Sequence, residues 1–233
     1  MEKTREKHLL DMYAQEYEKH RDEVQNRITI QNQMADRAIN ITVMLVSLLA
    51  VLFTFLLRDV GESSVEERVN LFISVCVPVL LIHGVLTQLT LAAWIYQLSM
   101  MFRIVRYWNW IVETKIEPMI GANGEAYLWD RQPEAPWDMS VDTKVVCYFQ
   151  PLFIYGLCLL MLLTLPLVWR LCAEENGLRF VCVLGFVGPV VLIVSLVLLA
   201  IVHLKVVRGT EAYRKSLHEC KQEEENRKLN KEV

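Results

Sequence analysis

Long stretches of this sequence contain no charged residue. Between Arg68 and Arg103 lie 34 residues without Asp, Glu, Lys or Arg, and three other stretches of about twenty residues are equally uncharged. Apolar runs of this length are typical of transmembrane helices, and buried helices of soluble proteins rarely sustain them. The predicted spans are Ala38–Leu57, Leu71–Gln97, Val145–Trp169 and Phe180–Leu204. The chain is therefore predicted to be an all-α membrane protein with four transmembrane helices.

Motifs that would carry catalysis are also missing. The six cysteines form no C-x-x-C pair, and the five histidines show no zinc-site spacing. There is no G-x-S-x-G elbow and no pair of carboxylates inside a span, so no catalytic residue, metal or cofactor is predicted. The absence of charge within the spans also argues against an ion-coupled transporter. Cys172 and Cys182 flank one short loop and could pair if that side of the membrane is oxidising.

Lys and Arg are scarce in the two connections 58–70 and 170–179, which hold two each. By contrast, residues 1–37 hold seven, residues 98–144 hold five and residues 205–233 hold eight. Because basic residues accumulate on the cytoplasmic side, both termini and the middle segment are predicted to be cytoplasmic. The first apolar run begins late and lacks a small-residue cleavage pattern, so it is expected to remain as an anchor. The net charge of −3 gives no case for a nucleic-acid partner.

Glycine and proline are absent from residues 2–37, a segment rich in the helix-favouring residues Glu, Lys, Gln and Arg. Its apolar residues recur at roughly heptad spacing until Gln31 interrupts them. They are Leu10, Tyr17 and Val24, with Ala14, Ile28 and Ala35 on the neighbouring row. This thin stripe either packs on the cytoplasmic side of its own chain or makes a short coiled-coil contact between subunits. Nothing breaks the helix before the first span, which allows one continuous helix.

The second span carries an aligned set of polar and aromatic residues: His83, Thr87, Thr90, Trp94 and Gln97. Their spacings of four, three, four and three residues place them on one helix face. Polar side chains at membrane depth are costly, and they normally face the bundle interior or water. Two interpretations stay open. The face either fixes the bundle through interhelical hydrogen bonds or lines an aqueous path in a homo-oligomer.

The uncharged second span leads without a turn signal into a basic and aromatic segment. Apolar residues continue at helical spacing, and Pro118 is expected to end the helix. The apolar positions are Leu98, Met101, Val105, Trp108, Val112 and Ile116. Arg103 and Arg106 lie off this face. Trp108 and Trp110 either anchor at lipid headgroups or pack on the N-terminal helix and the tail. The N-terminal helix, this extension and the tail 205–233 form a predicted cytoplasmic helical layer.

Two segments resemble a largely uncharacterised family of bacterial four-span membrane proteins. The segments are RDEVQNRITIQNQ before the first span and YQLSMMFRIVRYWNWIVETKIEP after the second. Members of that family have a Glu- and Arg-rich N-terminal helix and a cytoplasmic helix that closes in Ile-Glu-Pro, as do Ile116, Glu117 and Pro118 here. The stretch Gly124–Trp129 resembles the Gly/Trp segment that follows, and the resemblance covers roughly the first 130 residues. It implies a bacterial inner-membrane protein.

Similar small membrane proteins act as effectors in antiviral defence, where their oligomers perturb the membrane. The resemblance therefore implies a non-enzymatic, homo-oligomeric effector that permeabilises the bilayer or behaves as a channel. About half of the chain is predicted to be cytoplasmic, which supports a second hypothesis. In that hypothesis the protein is a membrane scaffold or sensor that recruits a soluble cytoplasmic partner.

Overall fold

The computed structural model of the protein describes residues 2–58, 65–116, 148–172 and 179–232. Within these ranges the chain is helical and contains no strand, which confirms the all-α prediction. Four helical stretches are long and apolar enough to cross a membrane. The chain is thus built as a multi-pass membrane protein. The stretch Gly124–Trp129 lies outside the described residues, as does the side chain of Cys172.

The described chain contains five α-helices. They are α1 (Glu2–Leu57), α2 (Val65–Ile111), α3 (Gln150–Leu159), α4 (Thr164–Cys172) and α5 (Arg179–Glu232). The N-terminal segment and the first span form one helix of 56 residues, and the second span and its extension form one of 47 residues. At 1.5 Å per residue these helices are about 80 Å and 70 Å long, more than twice the hydrocarbon thickness of about 30 Å. The predicted continuity of both helices is confirmed.

The helix α2 is the centre of the bundle, because it contacts α1, α3, α4 and α5. In the most apolar window of α2, 39% of the residues are buried within the chain, compared with 6% in α1. The helix α1 packs against α2 and the start of α3, whereas α5 packs against α2 and α4. Almost all of the membrane-level surface of α1 is therefore left to lipid or to another protein.

The helices α1 and α2 run antiparallel in a constant register. In five contacting pairs the two residue numbers add up to 124 or 125. The pairs are Tyr17–Trp108, Arg27–Gln97, Gln31–Trp94, Thr42–His83 and Phe53–Phe72. The contact thus extends without a slip over about 50 Å of helix. This relation places residues 38–57 of α1 beside residues 68–87 of α2. The predicted span 71–97 therefore extends about ten residues farther toward the polar N-terminal half of α1 than the predicted span 38–57 does.

The helix α5 runs parallel to α2 and approaches it closely at glycines. A Cβ added to Gly185 would lie 2.1 Å from Cγ2 of Val168 in α4 and 3.2 Å from Cγ1 of Val77 in α2. A Cβ on Gly188 would lie 2.8 Å from a methyl carbon of Leu81. The absence of a side chain at both positions therefore permits the three helices to meet, as membrane helices commonly do at small residues.

The third predicted span, Val145–Trp169, is interrupted. The helices α3 and α4 are joined by a 3₁₀ turn at Leu160–Leu163. Pro166 lacks an N–H, and its ring would clash with the carbonyl four residues earlier, that of Leu162, in a continuous α-helix. The proline thus explains why the tighter turn precedes it. By contrast, Pro78 and Pro189 lie inside the continuous helices α2 and α5.

The end of α2 packs on the N-terminal half of α1. Four residues of α2 and the π-helical turn that prolongs it (Val112–Ile116) form a buried cluster: Trp108, Ile111, Val112 and Ile116. Tyr13 and Tyr17 of α1 pack against this cluster. The apolar stripe of residues 2–37 is therefore used within one chain, as the first of the two interpretations predicted. The tail is helical to Glu232.

Candidate functional site

The predicted polar face of α2 divides into buried and half-exposed members. His83, Thr87 and Trp94 are 0%, 2% and 0% exposed within a single chain. Thr90 and Gln97 are only half-buried. The three buried residues thus point toward α1, α3 and α5, and the remaining two lie at the edge of the contact. We name the three buried residues and their partners from the other helices the inner polar column.

His83 of this column pairs with Thr42 of α1. Nε2 of His83 lies 2.8 Å from Oγ1 of Thr42, and the same hydroxyl donates to the carbonyl of Ala38 at 2.8 Å. Since a hydroxyl has one proton, which is directed at Ala38, Thr42 accepts a hydrogen bond from the Nε2–H of His83. This assigns the Nε2–H tautomer to the imidazole. Among the described residues, Nδ1 of His83 is buried without a hydrogen-bond partner.

Trp94 lies among aromatic and polar groups from three other helices. Gln31 of α1 donates from Nε2 to the Trp94 carbonyl at 3.4 Å. The indole meets His203 of α5 edge-on, with ring centroids 5.8 Å apart. Tyr155 of α3 stacks on the same imidazole, and its hydroxyl lies 3.4 Å from Nδ1 of His203. The helices α1, α2, α3 and α5 therefore each contribute a side chain at this level.

A second interhelical link joins α2 and α5 beside the column. Gln88 donates from Nε2 to the carbonyl of Leu192 at 2.6 Å, and the hydroxyl of Ser195 donates to Oε1 of Gln88. The amide of Gln88 is thus held at both ends, so this buried group has little polar capacity left unsatisfied. Thr87 and Thr90 instead donate to carbonyls of their own helix.

Arg27 joins α1 and α2 where the apolar part of the bundle ends. Its Nη1 donates to Oε1 of Gln97 at 2.8 Å, and its Nη2 lies 2.6 Å from Oε1 of Glu23. The arginine is half-buried and Glu23 balances its charge on the same helix. Hydrogen bonds with a charged partner are worth about 1.5–3 kcal/mol, so this link stabilises the junction between the spans and the polar helical layer.

The basic and aromatic residues of the α2 extension lie on two different faces. Trp108 is buried, and its ring contacts Tyr17 with centroids 5.0 Å apart. Trp110 is 49% exposed and stacks on the exposed Tyr107 at 6.2 Å. Arg103 is exposed, whereas Arg106 is half-buried near Gly209 of α5. Of the two interpretations for the tryptophans, packing within the chain applies to Trp108, whereas Trp110 is available to the surroundings of the protein.

Several column residues were not recognised as site residues from the sequence. Gln31 interrupts the predicted apolar stripe, and a polar residue in such a row is the signal of a buried hydrogen bond. Thr42 lies in the predicted first span and is not among the predicted site residues. His203 and Tyr155 had no sequence signal. His203 is a single polar residue next to the end of the span 180–204, and Tyr155 lies near the middle of the apolar span 145–169.

Comparison with protein-family models, with curated proteins and with solved structures found no match for this chain. The resemblance to bacterial four-span proteins therefore stays a prediction. Among the residues that the structure describes, no group of three or more His, Cys, Asp or Glu side chains is placed to hold a metal ion.

Proposed function

We propose that this chain is a non-enzymatic scaffold or sensor of the bacterial inner membrane, which presents a rigid helical layer to a soluble cytoplasmic partner. The observation that carries this proposal is the constant register of α1 and α2, from Phe53–Phe72 in the apolar part to Tyr17–Trp108 in the polar part. Both helices belong to the membrane bundle and to the cytoplasmic layer. A shift between the spans is therefore transmitted to the layer without an intervening loop.

The side-chain pairs at the junction support this coupling. Arg27–Gln97 and Gln31–Trp94 lie between the spans and the layer and tie the same two helices. The inner polar column continues from there toward His83 and Thr42. Interhelical hydrogen bonds in membranes average about 0.6 kcal/mol and reach about 1–2 kcal/mol. Such links are strong enough to fix one arrangement and weak enough for a bound ligand or partner to shift it.

The α2 extension offers a surface for a partner. Arg103, Tyr107 and Trp110 follow one another at spacings of four and three residues, and all three are exposed. Trp, Tyr and Arg are the residues most enriched at the energetic centres of protein interfaces. Trp110 lies about 20 Å farther along the helix than Gln97, which places it beyond the headgroups if α2 stands upright.

Co-purification from native membranes tests the proposal. The double variant Tyr107→Ala/Trp110→Ala is expected to lose a protein that the unchanged chain retains. Thr114→Ala, an exposed substitution one turn farther along, serves as the matched control and should retain it. If the double variant and the control recover the same proteins in the same amounts, the exposed aromatic surface does not recruit a partner.

A second candidate is the homo-oligomeric, channel-like or permeabilising effector implied by the family resemblance, with a role in antiviral defence. One observation favours it: a row of polar side chains on α1 faces away from the chain's own bundle. Current recordings from planar bilayers containing the purified protein test this candidate. It predicts discrete conductance and a growth defect on overproduction. A strict monomer that produces neither would exclude it.

A further inference from the structure

A regular polar row follows the outward face of α1 from the cytoplasmic layer into the first span. Its members are exposed and are spaced by seven residues: Asn26, Gln33, Asn40, Ser47 and Thr54. Each lies two residues, or about 200° around the helix, from the row of Gln31 and Ala38, which are buried against the chain's own bundle. The polar row therefore points in the opposite direction from α2.

The charged end of this face lies at a level where the other helices are apolar. By the register of α1 and α2, the exposed Asp36 and Arg37 are beside residues 88 and 89 of α2. The exposed side chain of α2 at this level is Leu89. The contact of Gln88 with Ser195 places Val197 of α5, 53% exposed, at the same height.

The helix α3 also has exposed apolar side chains at the level of Asp36 and Arg37. Gln150 of α3 donates to Oδ1 of Asn32 in α1 at 2.7 Å, and these two helices run in the same direction. Phe153, which is 47% exposed, is therefore level with Asp36. The apolar surface continues toward the cytoplasm at Phe149 and Leu204, which are 66% and 46% exposed. Three helices thus show lipid-type surface in a band about 10 Å high where α1 is polar and charged.

A lipid bilayer cannot solvate both the apolar surface of α2, α3 and α5 and the charged face of α1 favourably at this level. A bilayer that covers Leu89, Phe153 and Val197 would also surround Asp36 and Arg37, and a charge in hydrocarbon costs several kcal/mol. The deeper members of the row, Ser47 and Thr54, lie among exposed apolar side chains such as Val43, Met44 and Val51. Ser47 and Thr54 donate to their own helix backbone, but each keeps acceptor capacity on its hydroxyl. At the level of Asp36 and Arg37, the face of α1 therefore requires water or protein where the rest of the bundle requires lipid.

We propose that the outward face of α1 is the interface with a second copy of this chain. In this assembly the polar rows of neighbouring copies face one another, and α2, α3 and α5 face the lipid. Charge complementarity supports a second copy as the occupant, because each copy brings an adjacent carboxylate and guanidinium, Asp36 and Arg37. Related by symmetry, Asp36 of each copy pairs with Arg37 of its neighbour. Side chains of Asn and Ser are the groups that hydrogen-bond between membrane helices.

Cysteine cross-linking in native membranes tests the interface. Ser47→Cys places a thiol of similar size in the polar row. Val187→Cys is the matched control, because Val187 is 55% exposed on α5 at nearly the same depth, on a surface assigned to lipid. After mild oxidation, the Ser47→Cys chain is expected to give several-fold more covalent dimer than the control or the unchanged chain. Equal dimer from Ser47→Cys and Val187→Cys, or none from Ser47→Cys, would overturn the proposal.

A charge exchange provides a second measurement that does not depend on one variant. In the Ser47→Cys background, Asp36→Arg should lower the dimer yield several-fold, because two cations then meet across the interface. Adding Arg37→Asp restores opposite charges and should restore the yield. If the double exchange leaves the yield as low as the single change, Asp36 and Arg37 do not pair between copies. Loss of a soluble partner leaves this result unchanged, so the scaffold proposal is tested separately.

Discussion

At the scale of single residues, the polar positions of α2 were predictable but their partners were not. The spacing of His83, Thr87 and Trp94 placed them on one face, and the cost of exposing polar groups to lipid turned that face inward. The partners Thr42 and Gln31 depend on the register between α1 and α2. Periodicity within one helix does not fix the sliding of that helix along another, so the sequence could not identify these two residues.

Removal of the Thr42 hydroxyl is expected to destabilise the bundle. In Thr42→Val the Nε2–H of His83 stays buried without an acceptor, which costs about 1–3 kcal/mol. The double variant Thr42→Val/His83→Leu should cost less than the sum of the two single changes, because neither partner is then left unpaired. Thermal unfolding in detergent measures these differences.

Thr90→Val is the control for this cycle, since Thr90 is half-exposed and bonds only its own helix. It is expected to change stability by less than about 0.5 kcal/mol. A cost as large as that of Thr42→Val would contradict the pairing.

The triple change of His83, Thr87 and Gln97 to Leu separates the two interpretations of the polar face. Loss of activity at unchanged stability indicates a water-lined path, whereas loss of stability indicates interhelical hydrogen bonding.

Gly185→Ala is expected to separate α5 from α4. The new Cβ would lie 2.1 Å from Cγ2 of Val168, whose β-branched side chain has little rotamer freedom. Overpacking of this kind costs about 1–3 kcal/mol. No atom of the described residues lies within 4 Å of a Cβ added to Gly156, so Gly156→Ala should leave the melting temperature unchanged or raise it. Equal melting temperatures for the two variants would show that α4 and α5 are not in close contact at Gly185.

At the scale of elements, the existence of long helices was predictable and their interruptions were partly so. Residues 2–37 lack glycine and proline, and the second span has no turn signal, so both were expected to continue as helices. The break in the third span follows from Pro166, yet Pro78 and Pro189 lie inside continuous helices. Packing against neighbours decides which proline interrupts a membrane helix, and that packing is not visible in a single sequence.

Continuity of α1 through the junction is testable with a proline at Thr29, an exposed position between Arg27 and Gln31. Thr29→Pro removes one backbone hydrogen bond and places a ring against the carbonyl of Gln25, at a cost of about 3 kcal/mol. Hydrogen exchange of the α1 backbone before residue 29 should rise, since that half loses its rigid connection to the span. Thr29→Ala keeps the backbone bond and should not change the exchange. Unchanged exchange in the proline variant would mean that the two halves of α1 are ordered independently, against the proposed coupling.

At the scale of the whole molecule, charge counts predicted which segments share a side of the membrane, but not how high each helix stands. The spans 38–57 and 71–97 are predicted from hydropathy, which does not give the height of one helix relative to the other. The register places residues 38–57 beside 68–87, so the second span extends about ten residues beyond the first. Hydropathy is calculated for each helix separately. Only the contacts between helices reveal that the outward face of α1 is polar at a level where the exposed faces of α2, α3 and α5 are apolar.

This offset predicts that self-association depends on bilayer thickness. A thin bilayer covers residues 38–57 of α1 and leaves Asp36 and Arg37 in water, so a single copy is tolerated. A thicker bilayer matches the longer apolar surface of α2 and α5 but surrounds the two charges, which favours burial of the α1 face against another copy. The dimer yield of the Ser47→Cys chain should therefore rise from myristoleoyl to erucoyl phosphatidylcholine vesicles. In the Asp36→Leu/Arg37→Leu variant the rise should disappear, because no charge then opposes the lipid. A yield that is independent of thickness in the chain with both charges would show that lipid tolerates the polar flank of α1, and that its polar row is not what brings two copies together.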